Sequence, residues 1–362
     1  MQKIDVAAYV WPSYTGKEPR AKMFWPEGVG EWQTVKAAAP KFEGHLWPRK
    51  PLLGYKDEAD PETMEEQIDL AASYGVNTFI YDWYWFDRRP FLEQCLDEGF
   101  LRAKNNQKMK FYIMWANHDA DSTWDKRISD EKTPFIWLGK TVPEDYYGEI
   151  SRRFLGYFKR ENYYKANGEA LLSIYNVQNF IDTFGGITEA KKAIEYLDAE
   201  AKKEGLKGVH FQAIVYGAAE KIKVGDELIP QFDAVKLIGF KSCTNYQFAH
   251  VTNVNRPYNE VAADAFEYQS LAQNKTGCFY PHVSLGWDNN PRFYKLKANI
   301  TTDCTPENIK AAIRKAKDFA LETRAPMITL NSWNEWTEGS YLLPDDLYGY
   351  GYLEAVKEVF KD

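Results

Sequence analysis

Short apolar runs rich in β-branched and aromatic residues recur along the chain. They fall at Ile4–Val10, Asn77–Tyr81, Lys110–Trp115, Ala170–Tyr175, Val209–Val215, Ala234–Ile238, Cys278–Leu285 and Met327–Leu330. Runs of this length and composition read as strands. Segments of helical period lie between most of them, at Pro61–Tyr74, Phe91–Asn105, Glu144–Asn162, Thr188–Glu204, Asn259–Asn274 and Pro306–Thr323, and Asp345–Phe360 follows the last run. Asp60-Pro61 and Thr305-Pro306 each place a proline at a first helical position behind an N-cap. Gly75 and Gly205 stand where helices end. The joint between the fifth and sixth runs is short and irregular.

Eight strands alternating with helices predict the α/β class and a (β/α)8 TIM barrel. Residues 1–362 are expected to form one catalytic domain. The stretch Pro12–Tyr55 is rich in Pro, Trp and Gly and has neither period, so it reads as a long ordered loop inserted after strand one, over the barrel mouth. No GxGxxG follows an early strand, which argues against a dinucleotide-binding fold.

In such a barrel the chemistry lies at the C-terminal ends of the strands. Those ends carry Tyr9, Trp11 and Tyr14; Asp82, Trp83, Tyr84 and Trp85; Trp115, Asn117 and His118; Tyr175 and Asn176; Tyr216; Trp287 and Asp288; and Asn331, Asn334, Glu335 and Glu338. Polarity played no part in assigning the strands, yet their ends collect carboxylates, amides and aromatics. Glu335-Trp336-Thr337-Glu338 follows the last run directly and sets two carboxylates three residues apart among aromatic rings. Cleaving a glycosidic bond needs one carboxyl to protonate the leaving oxygen and one to assist at the anomeric side. Apolar rings beside an acid desolvate it and raise its pKa. Glu335 and Glu338 are therefore the expected catalytic pair. Tyr9, Trp11, Tyr14, Asp82, Trp83, Trp85, Trp115, Asn117, His118, Tyr175, Asn176, Trp287, Asp288, Asn334 and Trp336 are the expected substrate contacts.

Composition narrows the partner. The net charge is −7 without a basic stripe, so nucleic acid is not expected. Hydrophobic residues make up 44% of the chain and aromatic ones 16%, enough for a large core, and the 12 Trp and 24 Tyr suit a carbohydrate cleft. Cys95, Cys243, Cys278 and Cys304 are scattered and form no CxxC pair. His45, His118, His210, His250 and His282 form no HExxH, and Asn117-His118-Asp119-Ala120-Asp121 reads as a polar loop. Neither metal nor cofactor is expected, and no protein partner is inferred. No apolar stretch is long enough to span a bilayer. The start, Met1-Gln-Lys-Ile-Asp-Val6, lacks an apolar signal region. As written this places the chain in the cytoplasm; a trimmed signal would place it in the periplasm or outside the cell.

Several motifs carry a resemblance. Gly30-Glu-Trp-Gln-Thr-Val-Lys36, Phe42-Glu-Gly-His45, Pro48-Arg49, Leu53-Gly54-Tyr55, Asp60-Pro61, Gln67-Ile68, Tyr74-Gly75 and Tyr84-Trp85-Phe86 form one set. Asn331–Pro344 and Tyr348-Gly-Tyr350-Gly-Tyr352-Leu-Glu354 form another. Together they resemble the WbsX-type proteins of bacterial polysaccharide loci over nearly the whole chain. That family carries a glycosyltransferase label and is similar to glycoside hydrolase family 99, the endo-α-mannosidases and mannanases, which are (β/α)8 barrels. There the motif reads Glu-Trp-His-Glu-Gly. The resemblance implies that Glu335 acts as a base on the sugar 2-hydroxyl, with a 1,2-anhydro intermediate and retention, and that Glu338 is the general acid/base. Thr337 replaces the family's His, a departure that bears on the substrate. Asp82 lies where many WbsX-type relatives carry another polar residue, and so marks specificity.

Three functions stay open at this point. A glycoside hydrolase acting on a complex poly- or oligosaccharide is favoured by the paired carboxylates on a barrel. A WbsX-type transferase in polysaccharide biosynthesis would need a pyrophosphate site, and Asp119-Ala120-Asp121 has only the letters of one. A carbohydrate-binding protein would leave the pair without a purpose.

Overall fold

A computed structural model describes residues 3–131 and 135–360. The barrel strands are β1 (Asp5–Val10), β2 (Thr78–Phe86), β3 (Lys110–Trp115), β4 (Glu169–Ile174), β5 (Val209–Ile214), β6 (Ser242–Thr244), β7 (His282–Ser284) and β8 (Met327–Asn331). They pair in parallel in the order β6-β5-β4-β3-β2-β1-β8-β7. Closure between β6 and β7 is made just ahead of β7. Cys243 N donates to Cys278 O at 2.9 Å and accepts at its own O from Tyr280 N at 2.8 Å, forming a parallel bridge from Cys243 to Phe279.

The surrounding helices are α1 (Pro61–Tyr74), α2 (Ser151–Phe158), α3 (Val177–Phe184), α4 (Ile187–Lys203), α5 (Gln231–Ile238), α6 (Tyr258–Thr276), α7 (Pro306–Thr323) and α8 (Gly351–Phe360). Their ends follow local rules. The Asp60 carboxylate caps α1 by accepting from Glu62 N, and Thr305 caps α7 by accepting from Asn308 N, each one residue before a proline. Among the described residues no helix is long and apolar enough to cross a membrane.

Two expected elements are corrected. Ala234–Ile238 is the C-terminal part of helix α5, with Phe232, Ala234, Val235 and Ile238 buried at helical spacing. The sixth strand is the polar Ser242-Cys-Thr244, invisible to a search for apolar runs. It is polar because the barrel interior is polar at this level. Ser242 Oγ meets His210 Nε2 at 2.8 Å and Gln212 Nε2 at 3.2 Å, and Thr244 Oγ1 lies 3.0 Å from Thr329 Oγ1, which also meets His282 Nδ1 at 3.0 Å. Hydrogen bonding makes such burial tolerable. In the second unit, Phe91–Asn105 is not one helix but a π turn at Cys95–Gly99 and a 3-10 turn at Phe100–Arg102. The long connection after β1 holds only short helical turns at Pro19–Met23 and Trp32–Lys36, and it delivers buried side chains to the barrel mouth.

Candidate active site

A cavity of about 340 Å³ opens at the C-terminal end of the barrel, bordered by Trp11, Asp82, Tyr84, His118, Tyr175 and Glu335. Trp124, Tyr246, His250, Arg292, Glu338 and the acids Asp119 and Asp121 complete its polar and aromatic wall. Among the described residues no group of three or more His, Cys, Asp or Glu is placed to hold a metal ion.

The glutamates sit on a hairpin beyond β8. Asn334 and Glu335 pair antiparallel with Tyr341 and Ser340, and a 3-10 turn, Trp336–Glu338, joins them. Gly339 turns the chain at φ +63, where side chains are disfavoured. It lies against Gly286, whose added Cβ would fall 2.6 Å from Gly339 O. Ser332 Oγ accepts from Glu335 N and donates to Ser340 O, both at 2.7 Å. The Asn334 amide is clipped to the Trp11 backbone at 2.8 and 2.9 Å and donates to Glu58 at 2.7 Å. Trp336 stacks on Tyr341 with centroids 3.9 Å apart, and its backbone N donates to Tyr14 OH at 3.2 Å. Asn334, Trp336 and Tyr14 therefore hold the hairpin and do not border the cavity.

Arg292 joins the acids. Its Nη1 donates to Glu338 at 2.6 Å, its Nη2 to Glu335 at 3.5 Å and its Nε to Glu31 at 2.9 Å. Glu31 is fully buried and also accepts from Trp11 Nε1, Ser13 Oγ and Thr337 Oγ1. On the far side, Tyr246 OH lies 2.7 Å from Glu335 Oε1 and 3.0 Å from Asp82 Oδ2. A phenol has one proton, so it donates to one carboxyl at a time, and the other contact is a hydrogen bond only when that carboxyl carries its own proton.

Burial pushes Glu335 well above the ordinary carboxylate range, and Glu338 beside it adds to the rise, while Arg292 and the Tyr246 hydrogen bond pull it back. Glu338 is also raised by burial, with Arg292 opposing. Asp82 is raised well above its usual value by burial, less a Tyr246 hydrogen bond, with Glu338 adding to the rise. Burial lowers His118 and takes His250 down to about 4, which leaves both rings neutral near pH 7.

Strand parity sorts the β2 residues. Side chains alternate between faces of a strand, so Asp82 and Tyr84 face the cavity while Trp83 and Trp85 face outward. Trp83 packs on Phe154 of α2 and donates to Glu93 at 2.6 Å; Trp85 donates to Asp145 at 3.1 Å. Trp115 stacks on Tyr146, also outside. Tyr9 lies beneath the cavity, its ring 4.8 Å from that of Tyr246. The Asn117 side chain donates to Asn176 O at 2.8 Å and accepts from Asn176 N at 2.7 Å, and the Asn176 side chain caps α3 by accepting from Asn179 N. Trp287 and Asp288 border a separate cavity of about 230 Å³ with His45 and Arg49. Of the expected contacts, Trp11, Asp82, His118 and Tyr175 border the cavity with the glutamates; the others do not line it.

Arg292, Tyr246, His250, Tyr84, Trp124, Asp119, Asp121 and Glu31 join the site without having been expected there. Tyr246 and His250 follow the true sixth strand, so placing that strand at Ala234–Ile238 hid its end. Arg292 lies four residues after Asp288 in the same loop, and parity along β2 already separates Tyr84 from Trp83.

Comparison with solved structures gives the class. The fold is like that of the GH99 endo-α-mannosidase from Bacteroides thetaiotaomicron, with a TM-score of 0.61 and 15% identity over 99% of this chain and 97% of that one. A glycoside hydrolase-like protein superposes with a TM-score of 0.64 and 13% identity over 99% and 94%. The chain thus has the (β/α)8 barrel fold of these structures. It belongs to the glycosyltransferase WbsX family, whose model matches residues 6–356. The uncharacterized protein WxcX of Xanthomonas campestris pv. campestris, in strain B100 and in strain ATCC 33913, is 27% identical over 354 residues, covering 94% of this chain and 47% of that protein. The chain therefore spans about half the length of these curated relatives.

Proposed function

We propose that the chain is a glycoside hydrolase that cleaves a glycosidic bond in a poly- or oligosaccharide with Glu335 and Glu338, and that residues 1–362 act as one catalytic unit. The observation that carries this is the carboxyl pair itself, held on a hydrogen-bonded hairpin, gripped by one guanidinium and facing a cavity of sugar size. Trp11, Tyr84 and Trp124 supply apolar faces for sugar C–H groups. The likeness to family 99 supports retention, with Glu338 as acid/base and Glu335 as base on the 2-hydroxyl.

Arg292 lies closer to Glu338 than to Glu335, which favours the proton on Glu335. The proposed roles need the reverse. A sugar hydroxyl donating to Glu335 would stabilise its ionised form and so favour moving the proton to Glu338 on binding.

The test is a screen of bacterial and plant polysaccharides for released oligosaccharides, followed by the anomer of the first-formed product. A retained anomer and an almost inert 2-deoxy substrate fit the route. Covalent trapping of a 2-fluoro sugar on Glu335 would make that residue an ordinary nucleophile. The family description favours a second reading, transfer to an acceptor hydroxyl by the same pair. Saturable binding of uridine or guanosine diphosphate sugars in calorimetric titration would move the assignment there. Binding of glycans with no turnover of any would favour a carbohydrate-binding role.

A further inference from the structure

We propose that the sugar held in this cavity carries a free amine, and that Asp82 is the residue that selects it. The proposal rests on the cavity being the sugar site and names what that sugar must bear.

The first observation is charge. Five carboxyl groups border the cavity, from Asp82, Asp119, Asp121, Glu335 and Glu338, and Arg292 is the one Lys or Arg among its described lining residues. That guanidinium is already engaged by Glu31, Glu335 and Glu338. His118 and His250 add no charge near neutral pH. Even with protons on both Glu335 and Asp82, the cavity keeps a negative surplus. Its low-dielectric walls focus that field. A uronate, a sulfated sugar or a sugar phosphate would be repelled, and an ammonium attracted.

The second observation locates the amine. Asp82 is only 4% exposed; its Oδ2 is shared with Tyr246, and among the described residues its Oδ1 has no hydrogen-bond partner. A buried acceptor left open in this way calls for a donor. Asp119 and Asp121 are different: Asp119 Oδ1 accepts from Gly139 N at 2.7 Å and Asp121 Oδ1 from Thr123 N at 2.8 Å, so they shape loops and contribute field. A sugar hydroxyl could donate to Asp82 Oδ1. An ammonium does so with a charge-assisted bond and offsets the surplus as well.

The test is a ligand-observed NMR titration of the wild-type protein at constant ionic strength. The probes are the positional isomers of amino methyl hexopyranosides, their hydroxyl and N-acetylated counterparts, and a methyl hexuronide. At least one amino isomer should bind about tenfold or more tightly than its hydroxyl counterpart. N-acetylation should erase that gain, and the hexuronide should bind weakest. Asp82→Asn, nearly isosteric, should abolish the preference for the amine while neutral sugars still bind. Equal or tighter binding of neutral or acetylated sugars overturns the proposal, as does a preference that survives Asp82→Asn. Neutral binding with indifference to the amine counts against this proposal alone; no binding by any probe counts against the glycosidase reading too. Should Asp82→Asn fail to fold, the wild-type comparison of amine with acetamide still decides.

Discussion

Asp82, within β2, and Asp288, beyond β7, are both buried acids, and they border cavities on either side of the Glu335–Glu338 hairpin. Their surroundings differ in kind. Asp288 Oδ2 accepts from His45 Nε2 and Trp47 Nε1, each at 2.7 Å, and its Oδ1 accepts from the Asn290 backbone at 3.1 Å and side chain at 2.7 Å. Every lone-pair direction has a donor. Asp82 has one shared phenol and an open oxygen. A saturated buried acid organises loops, here the Phe42–His45 and Trp287–Arg292 segments. An unsaturated one, beside two further acids and a single guanidinium, keeps capacity for a ligand or a proton. The difference lies in the partners, since burial is nearly the same.

The sharpest way to break this distinction is to neutralise an acid on the open side. Glu338→Gln should lower kcat/KM by roughly 100- to 10,000-fold on substrates with poor leaving groups, the usual range for a lost general acid. Activated aryl glycosides should suffer less. Thermal stability should hold or rise, because one of several crowded carboxyls is gone. Equal kinetic loss on both substrate types would argue against the acid role.

On the saturated side the effects should reverse. Asp288→Ala strands the His45, Trp47 and Asn290 donors in a buried site and should cost about 3 kcal/mol by chemical denaturation. Its catalytic effect at a permissive temperature should be small by comparison. A variant as stable as wild type but inactive would move Asp288 into the functional class.

Much of this was legible beforehand, and the failures have physical causes. Seven of the eight strands, the barrel and the glutamate pair follow from period and motif, because parallel strands buried on both faces read as apolar runs. The sixth strand does not, because Ser242 and Thr244 face a hydrogen-bonded polar layer inside the barrel. That miss carried away Tyr246 and His250. Asp288 stands beside Asp82 among the expected contacts because an acid shows its residue type in the sequence and its partners only in space. Arg292 comes from a loop, where no period announces which side chain turns inward.

Glu58 offers a smaller and intermediate case. It is buried beneath the hairpin, accepts from Gln67 at 3.2 Å and Asn334 at 2.7 Å, and burial pushes it up to about 8 against an ordinary 4.5. The folded protein thus keeps a proton that the unfolded chain has lost above 4.5. The resulting stabilisation is complete below that value and is lost as pH rises through about 8. Glu58→Gln does not titrate. The stability of wild type relative to this variant should fall between about pH 5 and about pH 8, by at most about 1.4 kcal/mol per pH unit. A pH-independent difference between the two denaturation curves would mean that Glu58 is already ionised in the fold.

Tyr246→Phe should give the smallest effect and the finest test of the open cluster. The phenol bridges Glu335 and Asp82, and its hydrogen bonds pull both carboxyls down against burial. Without it Glu335 rises further. If Glu335 is the base, it must be ionised to act, so a higher pKa demands a higher pH. The acid limb of the kcat/KM profile should then move up by about half to one pH unit, with the plateau only modestly lower. Asp288→Asn is the matched control, since its site shares no hydroxyl with the glutamates, and it should leave the limb in place. A phenol that served only to pack against Tyr9 and Tyr175 would lower the plateau and move neither limb. An alkaline limb that moves up while the acid limb stays in place would instead make Glu335 the acid and exchange the parts assigned to Glu335 and Glu338.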